Sequence, residues 1–210
     1  MDMQIIILAD REQKTELLSK YKNENVSIEF LNDYPQLSSY KNAGALFILN
    51  NKINISEVQS FTTQPVFIHS VVSTLGDLNF PVNVSRINAW PTFLQRELWE
   101  VSTKDEVMVK NVFESIGWKY MVVPDEPGFI AARIIAMIIN EAYFAFEDGV
   151  SSKEEIDVAM QLGTNYPYGP FEWAQRIGVH NIYDLLKKLN ANSDRYAVAQ
   201  AMENELVNIK

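Results

Sequence analysis

The chain has 210 residues, two histidines and no cysteine. That length holds one large or two small folded units, and the lack of cysteine excludes disulfides, thiolate metal sites and a cysteine nucleophile. A hydrophobic fraction of 47% and a formal charge of −9 describe a globular protein that does not favour a nucleic-acid backbone as partner.

Taken in chain order, the first half alternates strand-like and helix-like stretches. Met3 to Leu8 is a short β-branched run suited to a buried parallel strand. Asp10 to Tyr21 reads as a surface helix capped by Asp10. Val26 to Phe30, Ala45 to Leu49, Val66 to His69 and Val82 to Ile87 read as further strands, with a helical turn over Ser56 to Phe61. Strands separated by short helices predict a mostly parallel sheet with right-handed crossovers. A helix is expected from Ser102 to Trp118, with Thr103 and Glu106 as its capping box and Gly117 near its end. Lys119 to Val123 follows as a last strand. The breaker cluster Asp125-Glu126-Pro127-Gly128 marks the boundary between domains 1–124 and 125–210.

Beyond it the pattern is helical. Phe129 to Phe146 is apolar almost all round and is expected to be buried between domains or subunits. Arg133, Asn140 and Glu141 interrupt it, and no apolar run matches the roughly 18 residues of a membrane span. The opening MDMQIIILAD does not have the form of a signal peptide. The expected setting is therefore soluble and cytoplasmic. Ser151/Ser152 open the next helix, which runs to Gly163 and has Glu154/Glu155 in its first turn. Tyr166 to Pro170 forms a rigid turn. Helices over Phe171–Ile177, Ile182–Leu189 and Arg195–Val207 complete the reading.

Several of these segments carry a pattern at fixed spacing. Pro127-Gly128-Phe129-Ile130 with Arg133, Asn140-Glu141-Ala142, Ser152-Lys153-Glu154-Glu155-Ile156-Asp157-Val158-Ala159-Met160, and Tyr166-Pro167-Tyr168-Gly169-Pro170-Phe171-Glu172 resemble the C-terminal helical domain of the 3-hydroxyacyl-CoA dehydrogenases. The resemblance implies a reduced Rossmann-like α/β domain. An all-α domain like that of 6-phosphogluconate dehydrogenase follows it. It also implies a role in acyl-CoA and fatty-acid metabolism. Weaker likeness runs back to Val66. Ser70-Val71-Val72-Ser73-Thr74-Leu75 lies where the family has a serine-rich segment, and Leu98-Trp99-Glu100-Val101 where it has Leu-Val-Glu-Val. In the family a histidine serves as acid and base toward the 3-hydroxyl and the glutamate orients it. The glutamate is Glu100, whereas the family spacing sets Asn88 at the histidine. Glu100, Asn88 and Ser73 are therefore the catalytic-site positions that the resemblance implies.

Three requirements of the family reaction are not met. The turn after the first strand, Ala9-Asp10-Arg11-Glu12-Gln13-Lys14, has no glycine and brings two carboxylates to the place of the phosphates. Asn88 does not titrate, so it is no general base. Ala132 stands where the family has an asparagine that helps hold the substrate carbonyl. The first half is also shorter than a complete nucleotide-binding domain, so lost strands or crossovers are expected.

Other residues carry paired readings. His69 could replace the base, or could end a strand with its hydrogen bond satisfied. Glu100 could serve in a cleft, or pair with Arg86 or Arg96. Ser73 could meet a thioester or cap a strand-to-helix turn. Trp90 and Trp99 could line an acyl pocket or pack in the core. Glu154, Glu155 and Asp157 read as a solvated helix start, and His180 as a local cap. His69 and His180 are too far apart in sequence to suggest a histidine metal site.

The expected protein is a degenerate relative with no cofactor. It would bind an acyl-CoA thioester or act as a partner subunit, a homodimer through the helical domain or a hetero-oligomer with a paralogue. The alternative is an active NAD-dependent dehydrogenase with an atypical cofactor site.

Overall fold

A computed structural model describes residues 3–20, 26–31, 37, 39–50 and 53–208. The chain divides into two compact units, Met1–Phe129 and Ile130–Lys210. The breaker segment 125–128 belongs with the first.

The first unit is a seven-stranded sheet with the order β2-β1-β3-β4-β5-β6-β7. The strands are β1 (Gln4–Leu8), β2 (Ser27–Leu31), β3 (Ala45–Ile48), β4 (Val66–His69), β5 (Val84–Ile87), β6 (Leu98–Ser102) and β7 (Lys119–Val122). All neighbouring pairs are parallel except β5 with β6. No helix lies between β5 and β6, so the chain turns back and β6 runs antiparallel. Ile5–Leu8, Ala45–Ile48 and Val66–Ile68 are fully buried, as continuous apolar strands covered on both faces should be. The half is nonetheless seven strands wide, and its brevity lies in the crossovers: α2 (Ile55–Ser60) has six residues and α3 (Leu75–Leu78) four.

Two cores follow from the strand alternation. Ile5, Ile7, Phe47, Phe67, Ile87 and Val101 face α1 (Arg11–Lys20) and α4 (Glu106–Ile116). Ile6, Leu8, Leu46, Ile48 and Ile68 face Val58 of α2 and Leu75 of α3. Trp99 and Trp118 lie in the first core, 4.6 Å apart between ring centres, with Phe47 stacked on Phe67 at 4.6 Å. Trp90 is also buried, so both candidate pocket tryptophans are core residues.

Two expectations in this unit are corrected. The last helix begins at Glu106 rather than Ser102, because Ser102 still pairs with Arg86 in the sheet. Its cap is Asp105, whose carboxylate accepts the Met108 N–H, while Thr103 accepts the Asp105 N–H. Gly117, in the left-handed region at φ 71°, ends the helix as expected. The expected end of the first helix at Tyr21 lies outside the described residues.

The second unit contains α5 (Ala131–Glu147), α6 (Lys153–Thr164), α7 (Pro170–Ile177), α8 (Val179–Asn190) and α9 (Gln200–Asn208), with a 3-10 turn over Asp194–Tyr196. α5 is not buried all round: Ile135, Ala136, Ile139 and Tyr143 are buried, whereas Ile134 is half exposed. Asn140, the interruption noted in its sequence, is buried and bridges the Ala197 carbonyl and the Ala199 N–H. Ser152 and Glu155 close a capping box on α6.

Asp157 is not a solvated acid. It accepts the N–H groups of Phe171 at 2.7 Å and Glu172 at 2.9 Å, capping α7 from the middle of α6. A Cβ on Gly169 would come within 2.3 Å of the Asp157 carboxyl carbon, so only glycine admits this approach. Pro170 then opens α7 at a position where a missing N–H is harmless. Tyr166 and Tyr168 pack edge-on against Trp173. Gly178, at φ 92°, is the cap position of α8, and His180 falls inside its first turn instead of capping it.

Candidate functional site

In open α/β sheets, ligands bind outside the carboxyl ends of the strands where the strand order reverses. Here that point lies between β1 and β3. The chain leaves β1 through Ala9-Asp10 into α1, and three side chains close the space. Asp10 accepts the Gln13 N–H at 2.8 Å, and the Gln13 side chain accepts the Asp10 N–H at 3.1 Å, a reciprocal cap. The buried Gln13 amide also donates to the Leu49 carbonyl at 2.6 Å and the Ala89 carbonyl at 3.1 Å. It thus spans from the end of β3 to the segment after β5.

One turn further along α1, buried Glu16 accepts the Thr92 N–H at 2.6 Å. Thr92 sits at φ 77°, a strained conformation for a β-branched residue that this bond helps to hold. Burial pushes the Glu16 carboxyl pKa up. These residues do not fit a dinucleotide pyrophosphate. The Asp10 carboxylate supplies negative charge at the helix N-terminus, where the phosphates would bring theirs, and Gln13 occupies the gap a glycine turn would leave open.

Further along the same rim stand the positions that the sequence singled out. His69, at the end of β4, is buried and accepts the Ala89 N–H on Nδ1 at 2.9 Å. Burial lowers its pKa to about 4 despite the opposing backbone contact at Ile87. It is neutral at pH 7, its Nδ1 lone pair is taken, and the reading of a strand-end histidine with a satisfied hydrogen bond holds.

Ser70 donates its hydroxyl to the Ser73 carbonyl at 2.6 Å, folding the loop that leads to α3. The cap of α3 is Thr74 rather than Ser73. The antiparallel register pairs Arg86 with Ser102 and Ile87 with Val101. Carried one residue on, it sets Asn88 opposite Glu100, on the face of Arg86 and Ser102. Glu100 thus lies within β6 and Asn88 directly after β5. Asn88 is buried and accepts the Trp90 N–H at 3.0 Å through Oδ1. Its Nδ2 group has no hydrogen-bond partner among the described residues.

Arg86 pairs with Asp125 at 2.6 Å. It also donates to the carbonyls of Ser70 and Glu126 and lies over the Phe129 ring at 4.2 Å. Asp125 further accepts the Leu75 and Gly76 N–H groups and the Ser102 hydroxyl. Burial opposes its ionisation, but the Leu75 N–H and the Arg86 guanidinium outweigh that and hold its pKa below the usual range. This network fixes the Ser70–Gly76 loop to the segment 125–126.

Along this rim the Asn88 Nδ2 group has no hydrogen-bond partner among the described residues, Glu100 lies opposite by register, and the His69 Nδ1 lone pair is already taken. Among the described residues no three His, Asp or Glu side chains are grouped to hold a metal, and no helix is long and apolar enough to cross a membrane. Gln13 was missed from the sequence, although Asp10-x-x-Gln13 already has capping-box spacing; its reach to Leu49 and Ala89 depends on the strand order.

The sequence profile of the 3-hydroxyacyl-CoA dehydrogenase C-terminal domain matches residues 128–210. The chain is 47% identical to the 3-hydroxyadipyl-CoA dehydrogenase of Escherichia coli over 73 residues, 35% of this chain and 15% of that protein. It is 31% identical to the 3-hydroxybutyryl-CoA dehydrogenase of Clostridioides difficile over 142 residues, 66% of this chain and 46% of that protein. The matched stretches thus span less than half of these relatives. The fold superposes on the crystal structure of (S)-3-hydroxybutyryl-CoA dehydrogenase from Ralstonia eutropha with a TM-score of 0.75 at 16% identity, covering 99% of this chain and 94% of that one.

Proposed function

We infer that the chain is a relative of the 3-hydroxyacyl-CoA dehydrogenase family that has kept a surface for an acyl-CoA thioester while giving up hydride transfer. The observation that carries this reading is the Gln13 amide, which joins Leu49 and Ala89 across the strand ends. A dinucleotide would have to break both bonds and displace the Asp10 carboxylate from the helix terminus. Leaving two carbonyls and an amide unpaired would cost about 1–3 kcal/mol for each group. With the base replaced by Asn88, little of the family chemistry remains.

What supports binding is the same Asn88. A buried donor without a partner is costly unless a ligand satisfies it. An acyl carbonyl is the acceptor expected at that position, with Glu100 opposite excluding a second anion. Acetoacetyl-CoA should therefore bind by calorimetry with 1:1 stoichiometry, and Asn88→Ala should weaken it about five- to tenfold, the worth of one hydrogen bond. Undetectable binding would remove the thioester reading. Steady oxidation of NADH in the presence of that thioester would remove the degenerate one and favour an active dehydrogenase.

The helical unit is proposed to pair subunits. Val158 and Leu162, one turn apart on α6, are 53% and 83% exposed, and α6 buries no residue fully within the chain. A second copy or a paralogue would cover them. A monomer by light scattering, with no paralogue co-purifying, would contradict this.

A further inference from the structure

α1 covers its side of the sheet poorly. Its inward positions Gln13 and Glu16 are used for hydrogen bonds, which leaves Leu17 as its one fully buried apolar side chain. A cavity of about 370 Å³ results beside the helix, walled by Ile7, Leu17, Ile28, Phe30 and Trp118, with Lys14 at its edge. Leu18, 54% exposed, forms part of the mouth. Protein interiors are normally packed without voids of this size, and small-molecule sites begin at about 300 Å³.

The walls are firmly held. Trp118 rests on Trp99 at 4.6 Å and meets Phe47 edge-on at 5.7 Å. Ile7 and Leu17 are almost fully buried. The cavity therefore needs no rearrangement to form. It lies against the broad face of the sheet under α1, away from the strand-end rim where Asn88 and Glu100 stand.

Among the described residues, its only charged lining group is a cation. The Lys14 ammonium lies 4.9 Å from the Phe30 ring centre and forms no ion pair among the described residues. An apolar slot with one cation at its mouth is complementary to an amphiphile with a single anionic head. We propose that this cavity binds an unbranched aliphatic monocarboxylate, its chain against Ile7, Ile28 and Trp118 and its carboxylate at Lys14. If a methylene takes about the 30 Å³ share of a water molecule, the space admits roughly ten chain atoms. The site is independent of the acyl-CoA reading and stands or falls separately.

The test is calorimetric titration of the full chain with decanoate below its micellar concentration, with 1-decanol as the uncharged control. One saturable decanoate site, with 1-decanol at least about fivefold weaker, is expected. Lys14→Met, a change at an exposed position, should weaken decanoate about three- to fivefold and leave 1-decanol unchanged. Leu17→Trp, folded by circular dichroism, should abolish binding by filling the slot. Absence of saturable decanoate binding would overturn the proposal, and so would equal affinity for 1-decanol or an unchanged affinity in Lys14→Met. Acetoacetyl-CoA titration of the same variants tells the two sites apart, since neither substitution should move it.

Discussion

His69 is the residue at which the rim can be probed most simply by pH. Its pKa falls from 6.5 unfolded to about 4 folded, chiefly through burial. Above pH 6.5 the imidazole is neutral in both states and costs nothing. As pH falls through that value the unfolded chain takes up a proton that the folded chain refuses, so stability drops until about pH 4. The loss is on the order of 3 kcal/mol. Replacing His69 with Asn retains an acceptor for the Ala89 N–H but removes the titration. Denaturant unfolding between pH 7 and 4 should therefore fall less steeply in His69→Asn than in the parent. Parallel curves would show that His69 does not carry the acid sensitivity. The sequence offered His69 both as a base and as a satisfied strand-end residue. Only the strand pairing that brings the Ala89 N–H to its Nδ1 decides between them.

Among the elements, the link from α6 to α7 explains best why a motif has the residues it has. Asp157, Gly169 and Pro170 are separate letters of a pattern in the sequence. In the fold they form one joint, in which a carboxylate caps a helix through a gap that only glycine leaves. Asp157→Ala should destabilise the chain by about 2 kcal/mol through two lost charge-assisted bonds. Gly169→Ala should cost at least as much by steric overlap. Thermal melts of both variants check this, and a melting temperature within about 1–2 °C of the parent for each would contradict it. The apolar strands were legible because burial on both faces leaves little choice of residue. The start of α4 was misplaced because Thr103 and Glu106 imitate a capping box, while the sheet pairing of Ser102 that overrides it is a long-range fact.

At the scale of the molecule, an α/β unit and a helical unit follow one another in one chain. The helical half carries the spacing to which the 3-hydroxyacyl-CoA dehydrogenase C-terminal profile matches, so that resemblance could be read from spacing alone. In the α/β half, Asp10 and Gln13 close the strand ends after β1, and Asn88 accepts the Trp90 N–H after β5. The absence of a glycine turn after β1 could be seen in the sequence; how the space is closed could not, because Gln13 reaches partners 36 and 76 positions away. The central claim is that this closure excludes a dinucleotide. Titration of the chain into NADH, followed by the fluorescence of the reduced nicotinamide, tests it most directly. No saturable change is expected up to about millimolar concentrations, on the order of the weakest specific affinities. A saturable, blue-shifted enhancement that NAD competes away would contradict it.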